Sequence, residues 1–175
     1  MRRNLILALL IWIAFLLQTT VFQLLPFTTV APNLLLILTV AFGFMNGKKM
    51  GLVIGFFCGL LIDLFYGDLI GFYALIYMLI GYVNGFSCSV FYDDEIKVPM
   101  VFIGISDLVY SVLIYILQFL LRGRLDFFYY FYHIMLPEVV YTVFITLLVY
   151  RLLYRLNYRF IATDTRGSSA NWLRR

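Results

Sequence analysis

From Asn4 to Gly47 the chain carries no Asp, Glu, Lys or Arg. A membrane crossing needs about 20 mostly apolar residues, so this stretch gives room for two spans, and no soluble fold has use for an apolar run of that length. The rest of the chain agrees. With 64% of its residues hydrophobic and 13% charged, a soluble domain would lack the polar surface to cover itself. Arg2 and Arg3 before an apolar run resemble the start of a secretory signal, but the run is too long and offers no small-residue cleavage site before Pro26. An uncleaved first helix is expected.

Six helices are expected, over roughly 5–25, 33–47, 50–66, 72–91, 98–121 and 135–156. Their breaks fall at Pro26 and Pro32, at Asn46 to Lys49, at Gly67 to Gly71, at Asp93 to Glu95 and at Arg122 to Arg124. With the N-terminus in the cytoplasm, eleven of the 13 Lys and Arg residues fall inside and only Arg122 and Arg124 outside. The positive-inside rule then gives an all-α polytopic membrane protein, N-in and C-in. Residues 1–160 read as one transmembrane domain and 161–175 as a short basic cytoplasmic tail. The net charge of +4 is therefore a matter of orientation and gives no reason to expect nucleic acid. Cys58 and Cys88 fall in different spans at different depths, which argues against a disulfide.

Glycine recurs at Gly51, Gly55 and Gly59, and the next step of four is Asp63. Four residues turn a helix by about 400°, so the four positions lie close to one face. In lipid, small residues at this spacing let helix backbones touch. Asp63 therefore points at protein, where it accepts hydrogen bonds from N–H groups or hydroxyls of a neighbouring element or stays protonated as a donor. Such a clasp is the favoured reading, because a lipid-facing acid at mid-membrane costs about 2.5–3.5 kcal/mol. Asp63→Leu is expected to disturb folding or partner binding more than Asp63→Asn. Gly81 and Gly85 repeat the spacing and suggest a second seam. Gly67 and Gly71 read as turn residues with positive φ.

Pro32-Asn33-Leu34-Leu35-Leu36 opening a helix, the run from Gly55 through Gly59 to Asp63, then Gly71, and Gly81-Tyr82 in the next span together resemble the rod-shape-determining membrane protein family MreD. The resemblance is best over residues 30–90, and the aromatic residues 122–136 have no counterpart in the family pattern. It implies a non-enzymatic scaffold of the bacterial cell-elongation machinery in the cytoplasmic membrane. The partners it implies are a single-span MreC-like protein, a RodA-type polymerase, its transpeptidase and the MreB filament. It also implies a fold similar to the substrate-binding components of energy-coupling-factor vitamin transporters, which makes vitamin binding the alternative function.

Phe127, Phe128, Tyr129 and Tyr130, with Phe131 and Tyr132, follow Arg122 and Arg124 and are expected at the outer end of the fifth helix. They read as an interfacial aromatic belt, with partner docking as the sharper alternative. Arg151, Arg155 and Arg159 stand four apart on the last helix and suit anionic lipid headgroups or an acidic partner. Pro137 places Glu138 in a first helical turn, where the dipole favours an acid. Asp107 and Glu138 are the other acids at membrane depth and, with His133, could build a proton relay or a metal site. They lack metal-ligand spacing and offer one histidine, so no metal or other cofactor is expected. Asp63 and Asp107 lack the sequence signatures of intramembrane aspartyl proteases, and no catalytic residue is expected.

Overall fold

The computed structural model describes the backbone of residues 2–21, 31–67, 69–87, 97–120 and 127–172, and the side chains of 5–20, 31–67, 69–86, 98–117 and 128–156. All of its regular structure is helical. Helix α1 covers Arg2–Leu16, α2 Leu34–Asn46, α3 Lys48–Tyr66, α4 Phe72–Ser87, α5 Lys97–Ile114, α6 the single turn Phe127–Tyr130, and α7 Leu136–Trp172. Wide π-helical turns extend α1 over Leu17–Val21, extend α5 over Tyr115–Leu120, and join α6 to α7 over Phe131–Met135. Three segments, Lys48–Tyr66, Val98–Leu117 and Phe128–Leu156, are long and apolar enough to cross a membrane, and Leu5–Thr20, Leu34–Asn46 and Phe72–Phe86 are shorter apolar helices. The chain is a membrane protein.

Helix α2 is the axis of the bundle. Every residue from Leu34 to Phe44 is buried, with α3, α4, α5, α7 and α1 packed around it. Its apolar run is uninterrupted because it has no lipid-facing or water-facing side. Asn33 opens the helix as its N-cap, the side-chain oxygen accepting from the Leu36 N–H. Gly47 closes it with φ 86°, a conformation that glycine alone adopts without strain, and the same residue starts α3. At this turn Lys48 places its ammonium 3.5 Å from the centre of the Phe86 ring at the end of α4.

The final span departs from the sequence expectation. The break at Arg122 to Arg124 is not followed by a loop up to residue 135: the chain is helical again from Phe127, and Tyr130 and Leu136 both keep right-handed helical dihedrals on either side of the π turn. The aromatic run therefore begins the last helix and does not end the fifth. Proline lacks an N–H and crowds the preceding turn. A π turn next to Pro137 relaxes that turn so that the helix passes through it. Helix α7 continues through Trp172, so most of the expected tail is helical in backbone.

Candidate functional site

The glycines of α3 and α4 face each other. A Cβ on Gly51 would strike the carbonyl of Gly81, one on Gly55 the carbonyl of Tyr77, and one on Gly59 the backbone of Tyr73 and Ala74. Gly85 lies against Lys48 and Gly47 in the same way. The two seams read from the sequence are thus two halves of one contact, in which the backbones meet directly. This contact is internal. Gly43 of α2 joins it, its Cα 2.9 Å from where a Gly51 Cβ would lie.

Asp63 closes that contact at its far end. Its side chain is 2% exposed, and it accepts three backbone N–H bonds from the start of α4: Oδ2 from Gly71 at 3.0 Å and Ala74 at 2.9 Å, and Oδ1 from Tyr73 at 2.8 Å. The first N–H groups of any helix lack partners within the helix, and its dipole presents positive charge there. One acid from α3 meets both needs of α4. Each bond to a charged group contributes about 1.5–3 kcal/mol. Gly71 takes φ 101° and so delivers its N–H to the acid from a turn that other residues resist. Gly67 does not share that role: its φ is −85°, an ordinary extended value, contrary to the sequence expectation.

A second polar cluster surrounds the start of α2, where α5 and α7 pack. Here Asn33 Oδ1 also accepts the Tyr77 hydroxyl at 2.7 Å, and the Asn33 N–H donates to Thr142 Oγ1 at 3.2 Å. Gln18, from the turn that extends α1, accepts the Leu35 N–H at 3.1 Å. Thus side chains from α1, α4 and α7 converge on one helix start. Pro32 precedes it, its carbonyl accepting from Leu34.

Asp107 and Glu138 lie in this cluster. Asp107 is fully buried at 0% exposure. Thr142 and Asn33 are alongside it, yet neither Oδ1 nor Oδ2 has a partner in hydrogen-bond geometry. Glu138, close enough to act electrostatically on Asp107, receives a long bond of 3.4 Å from the Ser111 hydroxyl. Because the helix runs unbroken through Pro137, Glu138 does not cap a free helix end, and the expected dipole role falls away. The acid that Asp107 faces is Glu138, not the Asp63 of a protease-like pair. Among the described residues no three His, Cys, Asp or Glu side chains group in a way that would hold a metal ion.

The aromatic run divides by direction. Phe128, Tyr129 and Tyr132 are exposed, while Tyr130 packs its ring 5.3 Å from that of Tyr115. His133 stacks on Tyr129 at 4.3 Å and is exposed. Arg151 and Arg155 are exposed on α7. The side chains of Phe127 and Arg159, and all of Cys88, lie outside the described residues. Sequence reasoning missed Gln18, Tyr77 and Thr142. The available signal was polarity: Thr142 and Thr146 stand four apart in an apolar helix, and Thr146 donates to the Thr142 carbonyl.

Residues 1–160 match the model of the rod shape-determining protein MreD. The chain belongs to the MreD family. Membership implies a role in rod shape determination, and the family is one of shape-determining structural proteins. Neither a curated protein nor a solved structure matches the chain, so the implied likeness to vitamin-transporter components gains no support from this side. Within this MreD-family chain the resemblance rests on Pro32, Asn33, the α3 glycines, Asp63, Gly71 and Gly81, and all of these positions lie at the α2–α3–α4 contacts just described.

Proposed function

We propose that this MreD-family protein is a six-span, N-in and C-in scaffold of the cell-elongation complex in the bacterial cytoplasmic membrane. It holds the transmembrane helix of an MreC-like protein and, through it, peptidoglycan synthases. The observation that carries this reading is the use of the glycine seam inside the chain: α3 and α4 consume it in their mutual contact. The bundle is thereby held rigid by Asp63 and the seam, and its outer apolar faces are left for other helices. On α3 that outer face presents Phe56, Phe57, Leu64 and Phe65, all more than 40% exposed. A rigid bundle with rugged apolar flanks suits a protein whose work is assembly, since helices in lipid associate by shape and close packing. The basic residues Arg151 and Arg155 sit at the inner end in this orientation, where they meet anionic lipid or an acidic cytoplasmic partner such as the MreB filament system.

The test is affinity purification of the tagged chain from its native membrane in mild detergent, with mass spectrometry of what accompanies it. Recovery of an MreC-like protein or a peptidoglycan synthase supports the scaffold. Recovery of paired ATPases with a second membrane subunit, or tight binding of a vitamin by the purified chain, replaces it with a transporter subunit.

A further inference from the structure

Asp107 presents a physical problem that the scaffold reading does not use. It is a carboxyl group at 0% exposure, ten residues into α5 and so roughly 15 Å along that helix. Both of its oxygens have less than 1 Å² of accessible surface and no hydrogen-bond partner. An ionised carboxylate can only accept. The nearby Leu35, Leu36 and Asn33 N–H groups and the Tyr77 hydroxyl are committed elsewhere, and the neutral Thr142 hydroxyl and Asn33 amide lie alongside Asp107 without reaching hydrogen-bond geometry. Among the described residues no Lys, Arg or His acts on Asp107 or on Glu138. The described groups facing the pair are tyrosines: Tyr77 from α4 and Tyr110 from α5 against Asp107, and Tyr110 and Tyr130 against Glu138. His133, on the turn before α7, points outward.

Glu138 meets Ser111, one turn from Asp107 on α5, and two carboxylates so close, with no counter-charge among the described residues, do not both stay ionised. Something must neutralise one of them. A water, a metal ion or an amine needs volume beside the oxygens, and a surface inaccessible to a water-sized sphere leaves none at Asp107. A proton needs no volume. It also lets Asp107 donate as well as accept, with the Thr142 hydroxyl and the Asn33 side chain alongside, and it removes the repulsion with Glu138.

We infer that Asp107 and Glu138 form an intramembrane proton-binding site that closes the junction of α2, α5 and α7. With the proton present, the two acids and the start of α2 pack as seen. Without it, like charges on α5 and α7 repel at the point where both helices grip Asn33, and the junction opens. The site would let the bundle respond to proton supply, and its grip on α2 does not depend on any partner protein.

The test is infrared difference spectroscopy on the full chain in lipid nanodiscs at neutral pH, comparing wild type with Asp107→Asn and with Glu138→Gln. The expected result is a protonated-acid carbonyl band, shifted by deuterium oxide, that disappears in either variant. Loss of carboxylate bands alone in both variants would mean that both acids are ionised, and overturns the inference. A sodium-dependent change of the same bands at fixed pH would also overturn it, since the site would then hold a metal ion.

Thermal unfolding supplies a second readout. Where the folded chain holds a proton that the unfolded chain releases, stability falls as pH rises, by up to about tenfold per pH unit in the folding equilibrium. Wild type should show that slope and Asp107→Asn should lose it while remaining folded. An unchanged slope in Asp107→Asn, or in Glu138→Gln should the first variant not fold, counts against the site.

Discussion

The hydroxyl of Tyr77 donates to Asn33 Oδ1 at 2.7 Å, tying the second turn of α4 to the first turn of α2. The same oxygen caps α2 by accepting from Leu36 at 3.2 Å, so one amide serves both a helix end and a helix pair. Tyr77 is also fully buried, and its ring meets that of Tyr110 edge-on at 5.3 Å. Tyr77→Phe keeps the ring contact and removes the hydroxyl. It is expected to lower stability by about 0.5–1.5 kcal/mol, whereas Asn33→Leu, which removes the cap and strands the buried hydroxyl, should cost more. Thermal unfolding of the purified variants in one detergent ranks them.

At Asp63 the geometry sharpens the contrast between substitutions. Because both oxygens accept, Oδ2 from two N–H groups and Oδ1 from one, an asparagine can serve Gly71 and Ala74 only by turning its NH2 toward the Tyr73 N–H. Asp63→Asn should therefore destabilise by about 1–3 kcal/mol, and Asp63→Leu by more, since it leaves all three donors unmet. Equal expression and equal melting temperature for Asp63→Leu and wild type would refute the clasp.

Glycines in this chain are not equivalent. An alanine at Gly51 would force its Cβ into the Gly81 carbonyl, and backbone cannot yield without separating α3 from α4. An alanine at Gly104 of α5 would meet only the Val143 Cγ2 at 3.1 Å, the tip of a side chain. Gly51→Ala is expected to cost at least about 1–3 kcal/mol. Gly104→Ala should be near neutral, because the better helix propensity of alanine, up to about 1 kcal/mol, offsets a small shift of the valine. The difference in melting temperature between the two variants decides it.

The exposed Arg151 and Arg155 are expected to hold anionic lipid at about 1 kcal/mol each. Changing both to glutamine should lower retention of anionic lipid, seen as fewer bound lipids by native mass spectrometry at rising salt, with the fold unaltered. Retention unchanged in the double variant would show that these arginines serve something other than lipid.

The placement of Asp63 was legible from α3 alone because a step of four along a helix is a local rule: Gly51, Gly55, Gly59 and Asp63 all emerge on its buried face. What the step cannot carry is the identity of the opposite wall. The contact of Gly51 with Gly81 and of Asp63 with the Gly71, Tyr73 and Ala74 amides depends on how two helices pair, and periodicity within one helix is silent on pairing. The centrality of α2 was hidden for another reason. In lipid a helix buried on all sides and one facing acyl chains have the same composition, so Leu34 to Phe44 read simply as a span. The last helix was misplaced because Pro137 and the Arg-Gly-Arg break each read as a boundary, while the π turn at Phe131–Met135 carries the chain through. The sequence grouped Asp107 with Glu138 but explained Glu138 by a helix end, and that explanation fell with the same misplacement.

The tie between Asn33 and Thr142 spans 109 residues, and this has a bearing on biosynthesis. A ribosome adding about 5–20 residues per second needs about 5–20 s to pass from the first of these residues to the second. Throughout that interval the amino end of α2 is already in or near the membrane while its last hydrogen-bond acceptor does not yet exist. The central helix of the bundle is thus among the first to be made and the last to be completed, and a chain truncated before α7 should leave the translocation machinery with its axis unfinished and open to capture by membrane quality control.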